Sequence, residues 1–510
     1  MSAITQSGFT VALPDEQATQ RFAVEIANAL EPGDLVTLSG DLGAGKTAFA
    51  RALIRYLAGD ADLVVPSPTF TLMQIYELPR FMLAHADLYR LSDPSELAEL
   101  GLDDIAASGV VLMEWPDRAR AWLPADRIDI AFALAPARGD TWRDVCVTGH
   151  GKLAGRVARI AALRTFLQEN GYAYAERWRM QGDASTRVYE RVLLEDKSAI
   201  LMNAPRRPDG PAVRDGKPYS AIAHLAEDVR PFVAMADGLR ALGFSAPEIY
   251  AADLVKGFLL VEDFGAEAFV SGSPPVPIEA RYMEAADLLA ALHAKQVPAL
   301  LPVSDGTTYA LPAYDKEAFL IEAELLLDWY VPHHGLGIDE AGRAEFRRLW
   351  LAALKPALDG QQTWVLRDFH SPNLIWLPGR DGYRRVGLLD FQDAVTGPAG
   401  YDVASLLQDA RVDVPQVLER ELFARYVRRR GETDATFDPA GFGAVYAVMA
   451  AQRATKVLGI FARLDRRDGK PQYLRHMPRV WRYLQRSLKH PALSDLSAWY
   501  GDNVPAFDGL

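Results

Sequence analysis

A chain of 510 residues exceeds what one hydrophobic core organises, so two to four domains are expected. Its 49% hydrophobic and 24% charged residues are those of an ordinary soluble protein, and its single cysteine, Cys146, excludes an intrachain disulfide. The net charge of −12 is uneven: residues 1–150 hold 11 Lys and Arg against 21 Asp and Glu, and the remainder holds 44 against 46, so the first part is unsuited to gripping nucleic acid strongly. No early stretch joins a basic flank to an apolar core and no run of 18 apolar residues occurs, which predicts a cytoplasmic protein.

Residues 1 to about 150 alternate helix-like and strand-like segments. A helix is expected near 15–30, a buried strand over 35–39 (LVTLS) and an amphipathic helix over 47–57, with further strands at 81–86, 110–113 and 128–134. That alternation predicts an α/β layer with a mostly parallel sheet. Between the first strand and the helix stands GDLGAGKT, residues 40–47, which fits the phosphate-loop pattern G-x-x-x-x-G-K-[ST] without a mismatch. Gly40, Gly43 and Gly45 open backbone conformations closed to other residues, so that successive N–H groups, Ala44 included, point at phosphate oxygens near a helix N-terminus. Lys46 is placed to reach the β- and γ-phosphates and the Thr47 hydroxyl to bind Mg²⁺ of an ATP complex. Lys46 is also the only lysine among the first 150 residues.

Such a site needs acidic residues at strand ends on the same sheet edge, to hold Mg²⁺ and orient water. Asp87 follows the strand FMLAHA and Glu114 follows VVLM. Either alone is equally well a solvated strand-end carboxylate; beside a phosphate loop the two together point to chemistry.

Gly149, His150, Gly151 and Lys152 break the pattern, and a new amphipathic helix begins near 157, so the join is placed near 150–156, giving domains 1–153 and 154–510. SGSPPVP, 271–277, is the most linker-like stretch of the second part and suggests a join between two lobes, about 157–262 and 263–510. LRDFHSPNLIW, 366–376, sets Asp368 and Asn373 at the Asp-x-x-x-x-Asn spacing of a kinase-type catalytic loop: a carboxylate to accept a hydroxyl proton and an amide oxygen to help hold Mg²⁺. A hairpin turning at PGRDG ends in GLLDFQD, which places Asp390 as the second metal ligand. Asp263-Phe264-Gly265 spells the kinase metal-binding tripeptide but precedes the catalytic loop by about a hundred residues; following FLLV, it fits a hinge where backbone groups near Glu262 meet an adenine edge. Upstream, QGDASTRVYERV offers Gly182, Ser185 and Thr186 as small residues that cover phosphates with backbone N–H groups. The usual strand lysine is absent, since AILMNA puts Met202 or Asn203 there, and Arg187, Arg191 or Lys197 is left to compensate.

GDLGAGKT, SPTF (67–70), HADLYR (85–90) and MEW (113–115), in that order, resemble the bacterial TsaE family, the ATPase of tRNA threonylcarbamoyladenosine biosynthesis. The resemblance implies an ATPase acting on TsaB/TsaD-type tRNA-modification subunits rather than gripping tRNA. It also implies a switch role for SPTF with Thr69 near the γ-phosphate, Glu114 as the Mg²⁺ partner and Asp87 as the orienter of attacking water. The division between those two carboxylates stays open, and His85, Tyr89 and Trp115 are equally packing residues.

GDASTRVYERV, LMNAP, LGFSAPEIYA, LVEDFG, LRDFHSPNLIW, LLDFQDA and GYDVASLLQDAR resemble the aminoglycoside-phosphotransferase-like kinases, a bilobal α+β protein-kinase-like fold, and among them the AmgK type. These are anomeric kinases of N-acetylmuramate and N-acetylglucosamine in cell-wall recycling. The resemblance implies transfer of the ATP γ-phosphoryl to the anomeric hydroxyl, with Asp368 as base, Asn373 and Asp390 on Mg²⁺, and Asp402 bracing the loop from a helix. ELLLDWYVPHH, 324–334, offers Glu324, Asp328 and Trp329 as sugar contacts, although its helical spacing is equally that of a core. Two rivals remain: a pseudokinase that regulates the first domain, and a kinase for another small acceptor such as an aminoglycoside, choline or an amino alcohol.

Overall fold

The structure, a computed structural model, describes residues 6–91, 97, 100–180 and 187–507. The chain divides into two compact units, Met1–Met202 and Asn203–Leu510.

In the first unit, strands β1 (Gln6–Leu13), β2 (Leu35–Ser39), β3 (Met73–Glu77), β4 (Met82–Asp87), β5 (Val110–Glu114), β6 (Arg127–Leu134) and β7 (Arg143–His150) form one sheet in the order β1-β7-β6-β2-β5-β4-β3. The four central strands β6, β2, β5 and β4 are parallel, while β3, β7 and β1 join antiparallel. Parallel strands covered on both faces are apolar throughout, which is why LVTLS and VVLM were readable as runs. Register sets Leu38 beside Glu114 and Asp87 beside Glu114, so the carboxylates come level at one sheet edge.

Helix α1 (Glu16–Ala29) starts at Asp15, whose side chain caps Ala18 N–H, and α2 (Lys46–Ala58) springs from the glycine loop. With α4 (Ala154–Glu169) they cover one sheet face through Phe22, Ile26, Phe49, Leu53, Val157 and Ile160. The other face carries α3 (Leu102–Ser108), whose Leu102 and Ile105 meet Ala84, Ala86, Val111 and Met113. Burial of these side chains stabilises the layer by about 1.5–3 kcal/mol for each large one.

Three strands, β1, β3 and β7, go beyond the sequence reading. Gly149 is not a breaker but part of β7: a Cβ there would lie 2.6 Å from Val157 Cγ2, so the glycine lets α4 pack against the strand. The first unit also runs past the expected join near 150–156. Arg156 pairs with Glu31 and Asp34, and Arg164 with Glu25. Strands β8 (Glu176–Arg179), β9 (Val188–Leu194) and β10 (Lys197–Asn203) follow, with β8 and β9 antiparallel. Asn28 Nδ2 donates to Glu190 Oε2 at 2.8 Å, Arg177 donates to both oxygens of Glu190 at 2.8 and 3.0 Å, and the Tyr56 hydroxyl, 2.6 Å from Asn28 Oδ1, accepts from Arg179 N–H at 2.9 Å.

The second unit is α+β. Its core gathers around the 30-residue helix Pro439–Asp468, where Leu458 and Phe461 cluster with Phe319, Tyr330, Trp350 and Met477. Two short antiparallel pairs, Gln362–Val365 with Val395–Pro398 and Leu374–Trp376 with Val386–Leu388, bracket residues 366–373. Within SGSPPVP the chain is ordered as a small hairpin, Val270–Ser271 pairing with Val276–Pro277 ahead of helix Glu279–His293. Residues 324–334 belong to the core, with Leu326, Leu327 and Tyr330 buried. Glu324 there pairs with Arg214 and Arg347, and Asp328 with Arg343, so the sugar-contact reading of this stretch gives way to a structural one. Among the described residues no helix is long and apolar enough to cross a membrane.

Candidate active sites

The phosphate loop takes the conformation its glycines allow. Gly40 has φ +130° and packs so closely that a Cβ would come 2.2 Å from Phe132 O; Gly45, at φ +106°, is the N-cap of α2. Lys46, 4% exposed, donates through Nζ to the carbonyls of Gly40 at 2.7 Å and Asp41 at 2.9 Å, and lies 3.8 Å from the centre of the Trp115 ring. Burial lowers the Lys46 ammonium from its ordinary value against the pull of Glu114, Asp87 and Asp41.

The carboxylates meet the loop from β4 and β5. Thr47 Oγ1 donates to Glu114 Oε2 at 3.0 Å, and His85 Nε2 lies 3.0 Å from Glu114 Oε1. Asp87 is engaged from two sides: Ser67 and Thr69 hydroxyls reach its Oδ2 at 2.8 and 3.2 Å, and Tyr89 N–H donates to Oδ1 at 3.0 Å. The SPTF segment is thus tied to Asp87. Ser67, unremarked in the sequence beyond its motif, is the stronger half of that tie. Thr47 and Glu114 present hard oxygens suited to Mg²⁺. Among the described residues no three His, Cys, Asp or Glu side chains converge on a metal position, so phosphate and water oxygens would complete the coordination.

In the second unit Asp368 and Asn373 share the loop 366–373, where Asn373 Nδ2 spans Asp368 O at 3.0 Å and Asp390 Oδ2 at 3.4 Å. Gln392 Nε2 donates to Asp390 Oδ1 at 2.8 Å. Asp390 and Asn373 again offer oxygen donors that fit Mg²⁺. Asp402, fully buried on helix Gly400–Leu407, accepts Leu366 N–H at 2.6 Å and Arg367 N–H at 2.9 Å, and burial pushes its carboxyl up to about 7 against those hydrogen bonds. Asp409 accepts both the N–H and the hydroxyl of Ser371. Arg367, at φ +67°, pairs with buried Glu322, which also takes Lys456 at 2.8 Å. Burial alone would raise Asp368; His370, Lys456, Arg367 and Arg453 reverse this and hold it below the usual carboxylate range. Burial lowers the His370 imidazole against the pull of Asp409 and Asp368.

Sequence reading missed Glu322, Lys456 and Asp409. Asp409 had one signal, its place seven residues after Asp402 within GYDVASLLQDAR; Glu322 and Lys456 had none. Gly182, Ser185 and Thr186 lie outside the described residues. At Glu262 the N–H donates to Glu248 O at 2.8 Å and the carboxylate takes Arg380 at 2.7 Å. Met202 is buried in β10, Lys197 is exposed at the head of that strand, and Arg187 and Arg191 are both engaged.

Residues 13–139 match the family described as Threonylcarbamoyl adenosine biosynthesis protein TsaE, and residues 179–442 match the Phosphotransferase enzyme family. An N-acetylmuramate/N-acetylglucosamine kinase of Caulobacter vibrioides is 39% identical over 68% of this chain and 97% of its own length. A kinase of the same name from Pseudomonas aeruginosa is 33% identical over 62% and 84%. A tRNA threonylcarbamoyladenosine biosynthesis protein TsaE of Rickettsia bellii is 41% identical over 24% of this chain and 84% of its own.

Proposed function

The chain belongs to the phosphotransferase enzyme family and carries a TsaE domain ahead of that enzyme, and from this we propose two ATP-consuming reactions: hydrolysis that supports threonylcarbamoyladenosine modification of tRNA, and phosphorylation of the anomeric hydroxyl of N-acetylmuramate or N-acetylglucosamine. We assign residues 1–153 to the ATPase and 154–510 to the kinase as enzymes, although 154–202 pack with the first unit.

In the first site, incoming phosphates take Lys46 over from the carbonyls of Gly40 and Asp41, as α2 offers its N-terminal N–H groups. Thr47 and Glu114 would hold Mg²⁺. Asp87 orients the attacking water once Ser67 and Thr69 turn from it toward the γ-phosphate. The acidic surface composition suits protein partners of the TsaB/TsaD type better than direct contact with tRNA.

In the second site, Asp368 accepts the anomeric hydroxyl proton while that oxygen bonds to the γ-phosphorus and the bond to the β,γ-bridging oxygen breaks, releasing ADP. Asn373 and Asp390 would hold Mg²⁺. When bound, the metal neutralises charge on the phosphate oxygens in both sites. Asp402 and Asp409 keep the loop in place by taking its N–H groups. The single observation that carries the kinase reading is the meeting of Asn373 with Asp390 on the loop that holds Asp368. A cytoplasmic location supplies ATP to both sites.

The test presents full-length protein with ATP and a panel of acceptors: both amino sugars, an aminoglycoside, choline and an amino alcohol, with products identified by phosphorus NMR. A sugar 1-phosphate is expected. No phosphorylated product at all would establish the pseudokinase reading, and preference for an aminoglycoside would overturn the wall-sugar one.

A further inference from the structure

His85 is completely buried on β4, two residues before Asp87 and on the same side of the strand. Parallel pairing sets it beside Leu112, one strand step below Glu114, so its ring stands directly under the carboxylate that meets Thr47. Its Nε2 is 3.0 Å from Glu114 Oε1, with side-chain exposures of 0% and 2%, and its Nδ1 has no hydrogen-bond partner among the described residues.

The two ring nitrogens settle which carries the proton. With the proton on Nδ1, a buried N–H would be orphaned and two lone pairs, of Nε2 and Oε1, would face each other. With the proton on Nε2, the ring donates to the carboxylate, and only an acceptor at Nδ1 goes unmet. Glu114 is then gripped by two donors, Thr47 at Oε2 and His85 at Oε1, which fixes the plane of the carboxylate.

The grip matters because Thr47 and Glu114 are the residues that would hold Mg²⁺. A threonine whose oxygen turns to a metal leaves Glu114 with one remaining orienting donor. We propose that His85 is a positioning residue of the ATPase: its Nε2–H locks Glu114 in the rotamer that receives the metal of the ATP complex, and its contribution is to metal affinity rather than to nucleotide contact. This rests on the assignment of Glu114 as the metal partner. Outer-shell donors of this kind change metal affinity about 10- to 100-fold.

The experiment uses full-length protein carrying Asp390→Asn, which removes a metal ligand from the second site. Free Mn²⁺ is followed by electron paramagnetic resonance in the presence of a slowly hydrolysed ATP analogue, and nucleotide affinity is measured separately in EDTA. His85→Ala and His85→Asn are expected to weaken Mn²⁺ binding about 10- to 100-fold and to leave metal-free nucleotide affinity as in the parent. His85→Gln, whose amide N–H reaches the place of Nε2, recovers most of the loss. Since Asn and Gln differ in reach but not in polarity, that contrast does not follow from removing a buried ring. Parent-like Mn²⁺ affinity in His85→Asn, or equal losses in the Asn and Gln variants, overturns the proposal. Glu114→Gln separates the levels: unchanged Mn²⁺ affinity there would remove Glu114 from the metal and sink the assignment beneath it.

Discussion

In the first unit the candidate carboxylates stand at the ends of adjacent parallel strands, so backbone pairing brings Asp87 and Glu114 level, and the phosphate loop joins a third strand to the helix whose Thr47 reaches Glu114. In the second unit Asp368 lies on a loop without strand partners of its own. Side chains from elsewhere replace them: Asp402 and Asp409 take its N–H groups, and Glu322 anchors Arg367 within it. A sheet edge positions catalytic groups through regular pairing, whereas a loop needs buried carboxylates to do the same.

The sharpest break is Lys46→Ala in the full chain. With the partner complex present, ATP hydrolysis should fall by about 10³-fold, the scale of losing one preorganised charge-stabilising donor. Sugar phosphorylation and the melting temperature of the second unit should be unaffected. Undiminished hydrolysis would take the phosphate loop out of the mechanism. The mirror experiment, Asp368→Asn, should cost sugar kinase activity about 10²–10³-fold while sparing hydrolysis at the first site. If both reactions decline together in either variant, the comparison of two separate chemistries fails.

Asp402→Ala probes the material of the second site. It leaves the N–H groups of Leu366 and Arg367 without their acceptor, at about 1–3 kcal/mol for each buried orphan, and should lower both kcat and melting temperature. Calorimetry showing an unshifted transition would mean that the loop holds itself.

The pH response gives a smaller effect. Burial, with Arg430 nearby, lowers His293 to about 3 from its ordinary 6.5. At pH 5 the unfolded chain protonates this imidazole and the folded chain does not, so acid favours unfolding. The stability of the second unit should therefore decline as pH falls through 6.5 and keep declining toward 3, by up to about 1.4 kcal/mol per pH unit. Melting curves from pH 7 to 4, compared with His293→Gln, check this; equal slopes in the two proteins would refute it.

How far the sequence could be read follows the same division. GDLGAGKT is contiguous, and its strand and helix flank it directly, so the loop geometry of the first site was legible, whereas the Ser67–Asp87 tie depends on a loop folding back over 20 positions and the His85–Glu114 contact on the pairing of two strands. In the second unit the Asp368, Asn373 and Asp390 spacing was legible because all three belong to one strand–loop–strand stretch. The anchors were not, because Glu322 and Lys456 come from helices 45 residues before and 89 residues after Arg367 and carry no local signature. Helical spacing at 324–334 was correctly ambiguous, and packing decided it for the core. At 149–152 the sequence could not show that Gly149 lies in a strand, because a glycine required for close helix packing is indistinguishable, in isolation, from a turn glycine.

The cluster of Tyr56, Asn28, Arg179, Glu190 and Arg177 bears on anyone who would cut the gene in two. A scissor placed anywhere between residues 139 and 176, where the sequence looks most divisible, would strip Tyr56 and Asn28 of their partners on one piece and expose a bare arginine–glutamate pair on the other. Residues on both sides of that stretch fold as one compact unit, so a piece trimmed to its motif limits is not the object that exists in the intact polypeptide.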